Sequence, residues 1–197
     1  MKYYLKQIIL PFVYLVCLGF SQLAIDLIGV PWVEVLVAAI MLFFFSYLMI
    51  LIFFREGQAA LKVRDSNDML REYMVKTGKP VEIKTAEEYK WYKPIIFGLI
   101  ISLPLIIVCI IHFFLVLFIG AEADGAAIVG RFIYMIYYEI FLYAYKPLVG
   151  WEFFYLLTFI PYICAILCVP YYFGMKKAKR QADEIKEKQR ILHGEEN

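Results

Sequence analysis

Asp26, Glu34, His112 and Glu152 are the side chains best placed for chemistry, because each lies near the same end of a different long apolar stretch. A histidine among carboxylates can hold a divalent cation or pass a proton. No spacing joins the four, and only packing would bring them together. Taken singly, each carries its polar group outward to interfacial water. His193 is the only other histidine, so a His-rich metal motif is excluded and no cofactor is expected.

Signatures of catalysis are missing. The chain has no Gly-rich phosphate loop, no HExxH and no GxSxG elbow. Glu87-Glu88 resembles the paired glutamates of intramembrane CAAX-type proteases, but Tyr92 stands where that pattern wants arginine, and the pair falls in a water-side connector. No residue is assigned a catalytic role, and the expectation leans away from an enzyme. Cys164 and Cys168 share a helix face one turn apart, which is poor disulfide geometry. With Cys17 and Cys109, they read as packing residues.

Four apolar stretches must position these groups: Ile8 to Leu27, Val33 to Phe54, Ile95 to Ile119 and Phe153 to Phe173. About 20 apolar residues in a helix match a hydrocarbon core about 30 Å thick. The chain is 63% hydrophobic and 19% charged, whereas soluble domains run near 45–50% and about 25%. Lipid is therefore the expected solvent. The fold class is all-α: a polytopic single membrane domain with four transmembrane helices at about 8–30, 32–54, 94–119 and 151–173. A cytoplasmic segment 55–93, an outer segment 120–150 and a cytoplasmic tail helix 175–193 complete it. The first stretch outruns a signal peptide and has no Ala-x-Ala pattern, so it is read as retained.

Orientation follows from the basic residues. With both termini cytoplasmic, all of them but Arg131 and Lys146 lie inside, as the positive-inside rule requires. Asp26, Glu34, Glu122, Asp124, Glu139 and Glu152 make the outer side acidic. Trp91 marks the inner boundary and Trp32 and Trp151 the outer one. Ala126 to Tyr145 is long enough to span, yet a fifth span would export the basic tail. It reads instead as an aromatic helix lying in, or re-entering, the outer interface, with Tyr134, Tyr137 and Tyr138 at headgroup depth.

The membrane interior carries little chemistry. Asp26 and His112 each fall about 27 Å along their helices, close to the outer headgroups. Ser46, Ser102 and Thr158 are the mid-bilayer hydroxyls, expected to satisfy helix backbone or to bridge helices. A proton- or ion-coupled carrier built by this chain alone is disfavoured, since such devices place ionisable groups in the membrane. Pro11, Pro104, Pro161 and Pro170 read as static kinks. Gly57 and Gly174 each follow the aromatic inner end of an even-numbered span, hinting at a duplicated two-helix unit.

Beyond the membrane, Glu56 to Lys76 keeps a helical pattern until Gly78-Lys79-Pro80 stops it. Thr85 with Glu88 forms a capping-box signature that predicts a new helix running into the third span. In the tail, Met175, Ala178, Ala182, Ile185, Gln189 and Leu192 recur at three- and four-residue steps, as a coiled-coil seam requires. That face wants a protein partner, a second copy or the middle segment of its own chain. Lys176, Lys177, Lys179 and Arg180 sit just inside the membrane, where they set orientation and meet anionic lipid.

These readings point to a non-enzymatic protein acting by association, as an accessory or scaffolding subunit. A small oligomeric transporter or channel protomer is the alternative, and a membrane enzyme acting on lipid at the outer face the third. Nucleic acid is not an expected partner. Compactness and short outer loops point to a bacterial plasma membrane.

Overall fold

The computed structural model describes residues 2–27, 29–119 and 157–192, and among them the chain is helical with no strand. Among the described residues four helices follow in order: α1 (Lys2–Asp26), α2 (Pro31–Thr77), α3 (Lys93–Ile119) and α4 (Phe159–Leu192). Of these, α2, α3 and α4 are long and apolar enough to cross a membrane, while α1 holds a shorter apolar run, Ile8–Gln22. The outer helix expected over Ala126 to Tyr145 lies outside the described residues.

Local chemistry explains the helix ends. Pro31 opens α2, where its missing N–H is not needed, and Glu34 sits in the first turn beside the positive end of the dipole. No proline interrupts the next 46 residues of α2, and its 47 residues make a rod about 70 Å long. That is more than twice a hydrocarbon core, so α2 extends well past a span. It stops where expected: Gly78 takes φ +68°, and its N–H donates to the Met74 carbonyl at 2.8 Å.

The predicted helix start at Thr85 does not form. Residues 85–88 make turns, with Thr85 N–H on the Ile83 carbonyl and Glu87 N–H on the Lys84 carbonyl, each at 3.1 Å; α3 begins at Lys93. Glu88 leaves the capping role because its carboxylate is engaged by Asn67 and Arg71. A charge-assisted pair outweighs a cap typically worth about 1 kcal/mol. From Phe159 to Leu192 the last apolar stretch continues into the tail as one helix, α4, that runs through Pro170 and Gly174.

The helices divide into two compact units. The first joins α1, α2 as far as Met49, α3 from Ile95, and α4 as far as Ile166. Its core is a set of narrow stripes: Phe97, Ile101, Leu105 and Cys109 on α3, Ala38, Phe45 and Met49 on α2, Phe159 and Ile163 on α4, and Ile8 and Leu15 on α1. Around the stripes the surface stays apolar, with Phe43, Phe44, Ile110, Phe114, Leu117 and Phe118 all exposed. A soluble unit would not present such a surface, whereas lipid accepts it. Close packing needs Gly98, where a Cβ would lie 2.7 Å from the Cys164 thiol of α4.

Polar groups in this unit tie helices together. Tyr162 of α4 meets Ser46 of α2 at 2.6 Å, and the Ser46 hydroxyl also contacts the Leu42 carbonyl at 2.6 Å. Ser46 has one proton, so the chain runs from the tyrosine hydroxyl to the serine and from the serine to the backbone. Gln22, fully buried on α1, donates its amide to the Glu34 carbonyl at 3.2 Å. Ser46 thus satisfies helix backbone and bridges helices at once.

The second unit joins Ile50–Pro94 to α4 from Leu167 onward. Its centre is a reciprocal glycine contact. A Cβ on Gly57 would meet the Tyr171 carbonyl oxygen at 2.1 Å, and one on Gly174 would meet the Phe54 carbonyl oxygen at 2.0 Å. Each glycine follows by three residues the carbonyl that faces the other, so the two contacts are equivalent under a local pseudo-twofold axis. Backbones this close leave no room for a side chain between them, the arrangement small residues permit between membrane helices. Phe53, Ala60, Leu61, Tyr171 and Ala178 are buried around it.

Candidate functional site

Among the described residues, the second unit also holds a polar network that joins α2 to the connector after it. On α2, Asn67 is 3% exposed and faces the connector that returns from Gly78 to Tyr92. Its amide donates to Glu88 Oε1 at 2.7 Å, and its side-chain oxygen accepts the Lys84 backbone N–H at 3.4 Å. Arg71, one turn further on, pairs with the same Glu88 oxygen and with Asp68 at 2.6 Å. Glu88 is itself buried, so its charge is held by one amide and one guanidinium in place of water.

Beside this latch the connector is pinned again. Tyr89 donates its backbone N–H to the Ala60 carbonyl at 2.9 Å, an oxygen on the glycine-containing face of α2. Its ring stacks on Tyr171 of α4, with centroids 5.2 Å apart and planes 10° from parallel. Burial pushes the Tyr89 phenol above the usual tyrosine range; Tyr172 adds to the shift and Arg64 opposes it. At neutral pH the stack is uncharged. Where α3 begins, Lys93 is fully buried within reach of the charges of Glu56, Glu87 and Glu88. One strap therefore ties α2 to α4 in this unit.

From that strap α4 runs outward. Ala178 is buried and Ala182 half-buried, whereas every residue from Asp183 to Ile191 is exposed. Of the expected seam, the first part packs within its own unit and Ile185 stands free, 57% exposed; Leu192 ends the helix. Lys176, Lys177, Lys179 and Arg180 are all exposed. Lys177 also lies 5.7 Å above the Phe54 ring, a cation–π contact that holds its stem against α2.

Of the four outer residues, only Glu34 has a side chain among those described. Asp26 closes α1, Glu34 sits half-buried in the first turn of α2 and His112 belongs to α3, while Glu152 lies outside the described residues. Among the described residues no group of three or more His, Cys, Asp or Glu is arranged to hold a metal ion. Comparison with known protein families, with curated proteins and with solved structures gives no match.

The latch was not visible in the sequence. Asn67, Arg71 and Glu88 are ordinary residues of charged segments, and nothing in the sequence signals that Arg71 and Glu88, 17 residues apart, would pair. The glycines gave a partial signal, since their matching positions after aromatic pairs are readable, but the contact between them is not.

Proposed function

We propose that the protein is a four-span membrane protein with both termini cytoplasmic, acting by association as an accessory or scaffolding subunit. The observation that carries this reading is the contrast within the second unit. The base is locked by Gly57, Gly174, the Glu88 latch and the Tyr89–Tyr171 stack, while the α4 end it carries is exposed from Asp183 to Ile191. A rigid base holding out a bare helix end suits a binding element, because pre-organisation lowers the entropy lost on docking. The α2 extension adds exposed Met69, Tyr73 and Val75 as further contact surface. Basic residues Lys176, Lys177, Lys179 and Arg180 then set the depth of the base against anionic inner-leaflet lipid.

The test is purification of the full chain from gently solubilised native membranes beside a chain ending at Ala182, which keeps the buried Ala178. Loss of a stoichiometric partner on truncation is the expected result. A defined homo-oligomer unaffected by truncation would overturn the reading in favour of a transporter or channel protomer.

A further inference from the structure

The exposed end of α4 has an order to its charges that says what fits it. With Ala178, Ala182, Ile185, Gln189 and Leu192 as the seam, the positions flanking it are Lys179 and Lys186 on one side and Gln181 and Lys188 on the other. The acidic residues Asp183, Glu184 and Glu187 all fall on the opposite face. No acid borders the seam, although acids make up three of the residues between Asp183 and Glu187.

This pattern argues against a second copy. In a parallel pair the flanking contacts would be Gln181 with Lys186 and Lys188 with His193; in an antiparallel pair they would be lysine with lysine on one side and drawn from Gln181 and Lys188 on the other. Neither arrangement supplies an opposite-charge pair. Lipid is also a poor occupant of this face. Ile185 lies about 17 Å beyond Gly174 along the axis, and the helix has neither proline nor glycine after Gly174 to turn it back to a membrane surface.

Resting on the reading of the protein as an association subunit, we infer that the face of α4 from Ala182 to Leu192 docks an amphipathic helix of another protein, one whose apolar stripe is bordered by Asp or Glu. Ile185 supplies the apolar anchor, Gln189 a polar seam position that fixes register, and Lys179, Lys186 and Lys188 pair with the partner's acids.

The experiment places the full chain in nanodiscs of uncharged phosphatidylcholine. It measures binding of a three-heptad helical peptide with leucine along its seam and glutamate on both flanks, beside the same peptide with lysine flanks. The glutamate peptide is expected to bind about tenfold tighter or better, to weaken as salt rises, and to be lost with Ile185→Asp. The double variant Lys186→Glu, Lys188→Glu should reverse the preference while Ile185 still anchors the seam. Equal binding of the two peptides, binding of neither, self-association through the tail, or displacement of the peptide when anionic lipid is added would each overturn the inference. Failure of the underlying reading looks different: the chain ending at Ala182 would then keep its native associations even where the peptides are distinguished.

Discussion

Gly57 and Gly174 each face a carbonyl of the other's helix, Gly57 against Tyr171 and Gly174 against Phe54. The obstacle to any side chain at these positions is main chain, which cannot swing aside as a flexible side chain would. Their equivalence, each three residues past the carbonyl that receives the other, gives the contact between α2 and α4 local twofold character.

Gly57→Ala and Gly174→Ala should each force the helices apart. The expected cost is about 1–3 kcal/mol, the range for overpacking a tight contact, read as a lowered denaturation midpoint of the purified protein in mild detergent. Gly98→Ala should be milder and partly relieved by Cys164→Ala, because the nearest obstacle there is a thiol at 2.7 Å. Equal effects at all three positions would contradict the backbone contact.

Arg71→Ala or Asn67→Ala should loosen the connector without unfolding the membrane part. Each leaves the buried Glu88 carboxylate short of one partner, a penalty of about 1–3 kcal/mol. Faster hydrogen exchange and proteolysis confined to residues 78–92 is the expected signature. Glu88→Gln should be the gentlest of the three, since it removes the buried charge and retains an oxygen for Asn67.

Tyr162→Phe should remove the donor to Ser46 while leaving the Ser46–Leu42 bond in place. Interhelical hydrogen bonds in membranes average about 0.6 kcal/mol, so a small loss is expected. Ser46→Ala with Tyr162→Phe should cost scarcely more than the single change, which a double-mutant cycle would read directly.

Alkaline pH should weaken the second unit through Tyr89. Its folded pKa is raised, so the folded state keeps the proton where the unfolded state has lost it. Stability is therefore intact below the ordinary tyrosine pKa of about 10 and falls as pH rises beyond it. Tyr89→Phe keeps the ring stacked on Tyr171 and should remove this part of the alkaline loss, as followed by unfolding between neutral and strongly alkaline pH.

From the sequence alone came the helical class, the apolar stretches, the continuation of α2 to its stop at Gly78, and the surplus of basic residues beside the last stretch. These are properties of contiguous residues: burial of twenty apolar side chains, a positive-φ cap, a run of lysines. The Thr85 capping box failed for the converse reason, because Glu88 answers to Arg71 and Asn67, which are neighbours only in the folded chain. Tertiary structure alone decided the glycine contact, the Tyr89–Tyr171 stack, the Ser46–Tyr162 bond, and where along α4 the seam passes from buried Ala178 to exposed Ile185. Each depends on which faces of two distant helices meet, and a periodic apolar stripe specifies that a face is buried without naming the face that covers it.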